Sequence, residues 1–110
     1  MRRPDPLDRI KRLVRNGKIA FTTKAREEMD EHELTKQEVL EAVCNATRID
    51  KLLASRNPRT GARERLYVIK GSTMRNVGIY TKGKIHRTYS YDVPYESETI
   101  YTFISAKLTQ

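Results

Sequence analysis

Leu66-Tyr-Val-Ile-Lys70, Asn76-Val-Gly-Ile-Tyr80, Ile85-His-Arg-Thr-Tyr-Ser-Tyr91 and Thr99-Ile-Tyr-Thr-Phe-Ile-Ser-Ala106 decide the fold of this chain. Each run is rich in β-branched and aromatic residues and is bounded by turn formers, as strands are. The last alternates Ile100, Thr102 and Ile104 against Tyr101, Phe103 and Ser105, the period of two that gives a strand two unlike faces. Lys82-Gly83 reads as a turn between the second and third runs, and Asp92-Val-Pro94 interrupts the chain before the fourth. Asn57-Pro58 and Thr60-Gly61 mark a loop ahead of the first.

Upstream of Thr47 the period is helical instead. Asp5 is an N-cap with Pro6 at the first helical position and Asp8 in the first turn, where a negative charge suits the helix dipole. Leu7, Ile10, Leu13 and Val14 recur at helical spacing until Gly17, a natural stop. A short stretch, Ile19 to Thr22, leads to a second helix from Thr23, with Ala25 and Met29 inward and Glu27, Glu28, Asp30 and Glu31 outward. Thr35-Lys-Gln-Glu38 is a capping box for a third helix, with Val39, Leu40, Val43 and Cys44 inward. Helices followed by strands predict an α+β fold, three N-terminal helices packed on one face of a mostly antiparallel sheet. With 110 residues the chain reads as one domain, 1–110, helical over about 5–47 and sheet over about 64–108.

The charge is as uneven as the periodicity. Residues 48–87 hold eleven Lys or Arg against Asp50 and Glu64, a net of +9, whereas the whole chain carries +8. A field concentrated on predicted strands and their loops attracts a polyanion, and its arginine content suits phosphate forks. Nucleic acid is the expected partner, bound in a salt-dependent way. No apolar run approaches the ~18 residues of a membrane span, and the N-terminus lacks the apolar stretch of a secretory signal. A lone Cys44 and two distant histidines, His32 and His86, offer neither a disulfide nor a Cys-pair metal site; a cytoplasmic protein without cofactor or metal is expected.

No triad order, carboxylate dyad or glycine-rich phosphate loop is present, and two acids in the basic half disfavour a two-metal nuclease. Lys51, Arg65, Lys70, Arg75, Tyr80, His86, Arg87, Tyr89, Tyr101 and Lys107 suit metal-independent cleavage of RNA instead. That reaction needs a base for the 2′-hydroxyl proton, cations for the phosphorane and an acid for the departing 5′-oxygen. A Tyr or Lys crowded by Arg shifts its pKa down toward that use, and the requirement for a 2′-hydroxyl selects RNA over DNA. His86, the one imidazole of the basic half, is an acid candidate. Lys107 is expected on the Tyr101-Phe103-Ser105 face, Tyr67 and Tyr101 as core or sheet-face aromatics, Cys44 in the core, and His32 as an exposed or helix-end cation. Lys70, Arg75, Lys82, Lys84, Arg87 and Arg63 are candidate RNA-binding cations.

The stretch Phe21-Thr-Thr-Lys-Ala-Arg-Glu-Glu-Met-Asp-Glu-His-Glu-Leu34 resembles the opening of a domain family of unknown function grouped with RelE-like proteins. That family reads Phe-Thr-x-His-Ala-x-x-Arg-Met-x-Glu-Arg-Gly-Ile; the chain keeps Phe21, Thr22, Ala25, Met29 and Glu31 and departs at Lys24, Glu28, His32 and Glu33. Leu13-Val-Arg-Asn-Gly17, Cys44-Asn45 and the ending Tyr101-Thr-Phe-Ile-Ser-Ala-Lys107 are similar to the MqsR toxins. Arg65 to Gly71 and Tyr80 to Ile85 look like members encoded beside an antitoxin with a zinc finger and a helix-turn-helix. The resemblance implies a RelE-like sheet and a type II toxin, an endoribonuclease cutting mRNA free or on the ribosome, neutralised by such an antitoxin. Members of the MqsR type use a Lys, a Gln, a Tyr and a C-terminal Lys; by position these fall near Lys51, Arg65 (which replaces the Gln), Tyr80 and Lys107. A non-catalytic nucleic-acid-binding module and a basic interaction protein are the alternatives.

Overall fold

The computed structural model describes residues 5–89 and 97–109. Its elements are α1 (Pro6–Arg15), β1 (Ile19–Phe21), α2 (Thr23–Glu31), α3 (Lys36–Asn45), β2 (Lys51–Arg56), β3 (Arg63–Ser72), β4 (Gly78–Tyr89) and β5 (Ser97–Leu108). The fold is α+β, three helices with a five-stranded mixed sheet in the order β1-β5-β4-β3-β2. Four strands pair antiparallel, but β1 runs parallel to β5, so the sheet is not antiparallel throughout.

The helices begin and end where their caps dictate. Asp5 Oδ1 accepts from the Leu7 N–H at 2.9 Å, and α1 closes in a Schellman pattern, Gly17 N–H to Val14 and Lys18 N–H to Leu13, with Gly17 at φ 71°. Thr22 caps α2. Thr35 and Glu38 exchange both bonds of the capping box that starts α3.

One core lies between helices and sheet. Leu7, Ile10, Val14, Ala25, Met29, Val39, Ala42 and Val43 pack with Ile69, Ile79, Tyr101, Phe103 and Ala106. Phe21 stacks on Phe103 at 4.8 Å and Tyr101 meets Phe103 edge-on at 5.1 Å. Gly71 lets α3 approach, since a Cβ there would stand 1.9 Å from the Ala42 carbonyl oxygen. Tyr101 and Cys44 belong to this side of the molecule, as their places in the pattern suggest.

Three readings change. Lys82-Gly83 is no turn: β4 runs unbroken from Gly78 to Tyr89. Its glycine answers a close approach, because a Cβ on Gly83 would lie 2.5 Å from the Tyr101 ring. The register between β4 and β5 slips at this point, Lys82 opposing Ser105 and Gly83 opposing Phe103, so Ile104 is an extra residue. That slip moves Lys107 off the Tyr101-Phe103 face. Lys107 opposes Tyr80, while its neighbour Ala106 opposes the buried Thr81. The sheet also starts earlier than expected, with β1 at Ile19 and β2 at Lys51. The Asp92-Val-Pro94 interruption falls outside the described residues.

Candidate nucleic-acid interface

On β4 the inward positions are Ile79, Thr81, Gly83 and Ile85, and alternation sends Tyr80, Lys82, Lys84 and His86 to the face without helices. Register places their neighbours. Lys70 on β3 and Lys107 on β5 oppose Tyr80 from either side. Lys82 opposes Val68, which opposes Lys51 on β2. This face is therefore a lattice of lysines around a narrow apolar strip, Leu66 and Val68.

Lys70, Tyr80 and Lys107 form one rung across three strands of this face. Lys107 Nζ stands 5.4 Å from the centre of the Tyr80 ring, within the range of a cation–π contact. Together with Leu108 and Thr109 the three line a shallow depression of about 250 Å³. Lys70 Nζ lies 3.6 Å from Asp50 and Lys107 Nζ 3.9 Å from Glu28, so each ammonium has a loose acidic partner on its outer side.

Lys107 is held in place by α2. Beyond Phe103 strand β5 outruns β1, and α2 supplies the missing partner: Thr22 N–H donates to the Phe103 carbonyl, and Thr22 Oγ1 donates to Ile104 O. Glu28 Oε1 accepts from Ser105 Oγ at 2.6 Å and from Ala106 N–H at 3.2 Å, and His32 Nδ1 accepts from Leu108 N–H at 3.1 Å. Residues 28 and 32 are one helical turn apart, which spaces them along the strand. Burial pushes the Glu28 carboxyl up, but the hydrogen bonds from Ser105 and Ala106, with Lys24 and Lys107 nearby, outweigh it and leave the pKa below the ordinary value. His32 stands at the C-cap of α2, the helix end expected of it, and its ring reaches the main chain of β5.

A second grouping lies at the other end of β4. The β3–β4 ladder runs from Ser72↔Gly78 to Tyr67↔Gly83, whereas β2–β3 pairing continues to Arg56↔Arg63 and β4–β5 pairing to Tyr89↔Ser97. Beyond Tyr67 and Gly83 the sheet therefore splits. The split is a cleft of about 570 Å³ lined by Arg9, Arg63, Glu64, Arg65, Tyr67, Lys84, His86 and Arg87, among others. Arg9 comes from α1, so the cleft is bounded by helix as well as sheet.

Glu64, the one acid among the cleft's described residues, is already engaged. Glu64 Oε1 accepts from Asn57 Nδ2 at 3.0 Å and from Lys84 Nζ at 3.1 Å. The Asn57 bond, then the Lys84 bond, hold its pKa below the usual carboxylate value. His86 Nε2 is 2.6 Å from Thr102 Oγ1. Burial first, then the Lys84 charge, push the His86 pKa down, which favours the neutral ring. The Tyr101 hydroxyl is buried with no hydrogen-bond partner among the described residues; burial first, then Tyr67, raise its pKa.

The expected site residues thus fall into two groups. Tyr80, Lys107 and Lys70 meet on one rung; Arg65, His86, Lys84, Arg87 and Arg63 meet at the split; Lys82 and Lys51 lie on the face between them. Arg75 joins neither. It sits on the β3–β4 turn with Met74, beside Glu38 and Glu41 of α3, at the opposite end of the hairpin from the split. Arg9, Glu28 and His32 were not read as site residues: the first lies in another element's outer face, and the others serve main-chain atoms 76 to 78 residues away. Among the described residues, no group of three or more His, Cys, Asp or Glu is placed to hold a metal ion, and no helix is long and apolar enough to cross a membrane. No family model, curated protein or solved structure matches this chain.

Proposed function

We propose that this protein is a RelE/MqsR-like type II toxin, a metal-independent endoribonuclease that cuts mRNA at the Lys70–Tyr80–Lys107 rung. The observation that carries the reading is the Tyr80 ring with the Lys107 ammonium 5.4 Å from its centre and Lys70 on the opposing strand, on a sheet face without helices. A phenol between two cations provides the groups that transesterification of RNA requires. The 2′-hydroxyl loses its proton to a base, and its oxygen attacks the adjacent phosphorus. The P–O5′ bond breaks, and the 5′-oxygen takes a proton. The products are a 2′,3′-cyclic phosphate and a 5′-hydroxyl.

In this assignment Tyr80 and Lys107 exchange the two protons, and Lys70 stabilises the negative charge that develops on phosphorus. Arg65 and His86, at the split, serve substrate binding, and Lys51 guides the strand from β2. The His86 ring is engaged by Thr102 and favoured neutral, which suits a hydrogen-bonding role better than that of an acid. A partner antitoxin with a zinc finger and a helix-turn-helix neutralises the enzyme, and both act in the cytoplasm.

A non-catalytic RNA-binding module is the second reading, favoured by one observation: more cations gather at the split than at the rung. Induced expression in a bacterial host separates the two, with wild type beside Tyr80→Phe/Lys107→Ala. The toxin reading expects growth arrest and cleaved transcripts, relieved in the variant while soluble protein persists. Normal growth with intact RNA in the wild type overturns it.

A further inference from the structure

We infer that the split between β3 and β4 is a separate subsite that grips the sugar-phosphate backbone of a single RNA strand, several nucleotides away from the Lys70–Tyr80–Lys107 rung. This rests on the RNA reading above and adds to it the length and form of the substrate.

Three observations carry the inference. Five cations, Arg9, Arg63, Arg65, Lys84 and Arg87, line one cleft, and Glu64, the one acid among its described residues, is held by Asn57 and Lys84. Four of the five are arginines, which bind phosphate oxygens in a planar fork. The β3–β4 ladder ends at Tyr67 and Gly83, so the cleft opens between two strands rather than on the surface of a continuous sheet.

Spacing then sets the substrate. Tyr80 and His86 are both on β4, six residues apart, which corresponds to about 20 Å along a strand. Lys82 and Lys84 project between them on the same face and lead to the Lys84–His86 side of the split, while Arg63, Arg65 and Arg87 alternate to its helix side, where Arg9 of α1 joins them. A dinucleotide cannot occupy both ends; a single strand of several nucleotides can. The strand it takes is single, in keeping with a cleft that lies where two neighbouring strands part. Tyr67 at its wall offers a ring on which a base can stack.

The test is equilibrium binding of uncleavable 2′-O-methyl RNA, a single-stranded 12-mer and a trimer, to the full chain by fluorescence anisotropy over a range of salt. Wild type is expected to bind the 12-mer at least tenfold more tightly than the trimer. Arg65→Gln and Arg87→Gln, both at exposed positions, are each expected to weaken 12-mer binding several-fold and to reduce the salt slope by about 0.7. Arg75→Gln removes the same charge from the hairpin turn and is expected to change neither.

Equal loss in all three variants would overturn the subsite and leave only a diffuse field. Wild-type binding that is no tighter for the 12-mer, or equally tight for a 12-base-pair duplex, would overturn it too. Cleavage of unmodified RNA is scored separately. A cutting enzyme indifferent to Arg65 and Arg87 sinks the subsite alone, whereas split-dependent binding without cutting sinks the nuclease alone.

Discussion

Gly83 shows how one side chain's absence shapes the interface. The Tyr101 ring occupies the space a Cβ would need, so Gly83→Ala must displace a fully buried tyrosine or bend β4. We predict a loss of about 1–3 kcal/mol, read as a lower urea midpoint. The sequence offered Lys82-Gly83 as a turn because glycine after lysine carries the same letters in either setting; only the partner strand distinguishes them. Lys107 teaches the same lesson. Its residue type was legible, but its face depends on the extra residue Ile104, and a bulge leaves no mark in an alternating string. His86 yields a pH prediction. Its folded pKa is lowered, chiefly by burial and then by Lys84, so the unfolded chain takes up the proton more readily. Its contribution is complete above the unfolded value of about 6.5 and is lost as pH falls below it. Denaturation midpoints from pH 8 to 5 should decline, and His86→Gln should flatten that part of the decline.

At the scale of elements, α2 acts as the edge partner of β5. Glu28 satisfies Ser105 and Ala106, and His32 satisfies Leu108, with Lys107 between them. Removing the carboxylate in Glu28→Ala leaves a buried hydroxyl and an amide unpaired, at a cost of about 1–3 kcal/mol. Amide hydrogen exchange at Ala106 and Leu108 should quicken in that variant, with exchange at Ile69 unchanged relative to global stability. The helices themselves were legible, since Asp5, Gly17 and the Thr35–Glu38 box are local signals that the fold uses as written. Two strands were not. β1 has three residues, too few to show a period. β2 is an edge strand exposed on both sides, with Leu52 at 57% and Leu53 at 37%, so no inward set of residues marks it. Glu28 and His32, which carry no strand signal of their own, both accept hydrogen bonds from the main chain of β5.

Over the whole molecule, much of the basic charge read from residues 48–87 lies along a route from the Lys70–Tyr80–Lys107 rung across Lys82 and Lys84 to the split, with Arg75 apart on the β3–β4 turn. That route was partly legible: the charge was plain in the sequence, but its division into two groups depends on where the β3–β4 ladder ends. If about five phosphates are neutralised along it, affinity for single-stranded RNA should fall about 100-fold between 50 and 200 mM salt, as counterion release predicts. A titration of labelled RNA at several salt concentrations reads the slope directly.

The central claim is that the rung cuts RNA without a metal. Purified protein incubated with a single-stranded RNA in excess EDTA, with product ends identified by mass spectrometry, tests it most directly. The account predicts 2′,3′-cyclic phosphate and 5′-hydroxyl ends, no reaction on the matching DNA, and a loss of at least 100-fold in rate for Tyr80→Phe/Lys107→Ala. Intact RNA at saturating protein, or cleavage that the double variant performs at the wild-type rate, would contradict it.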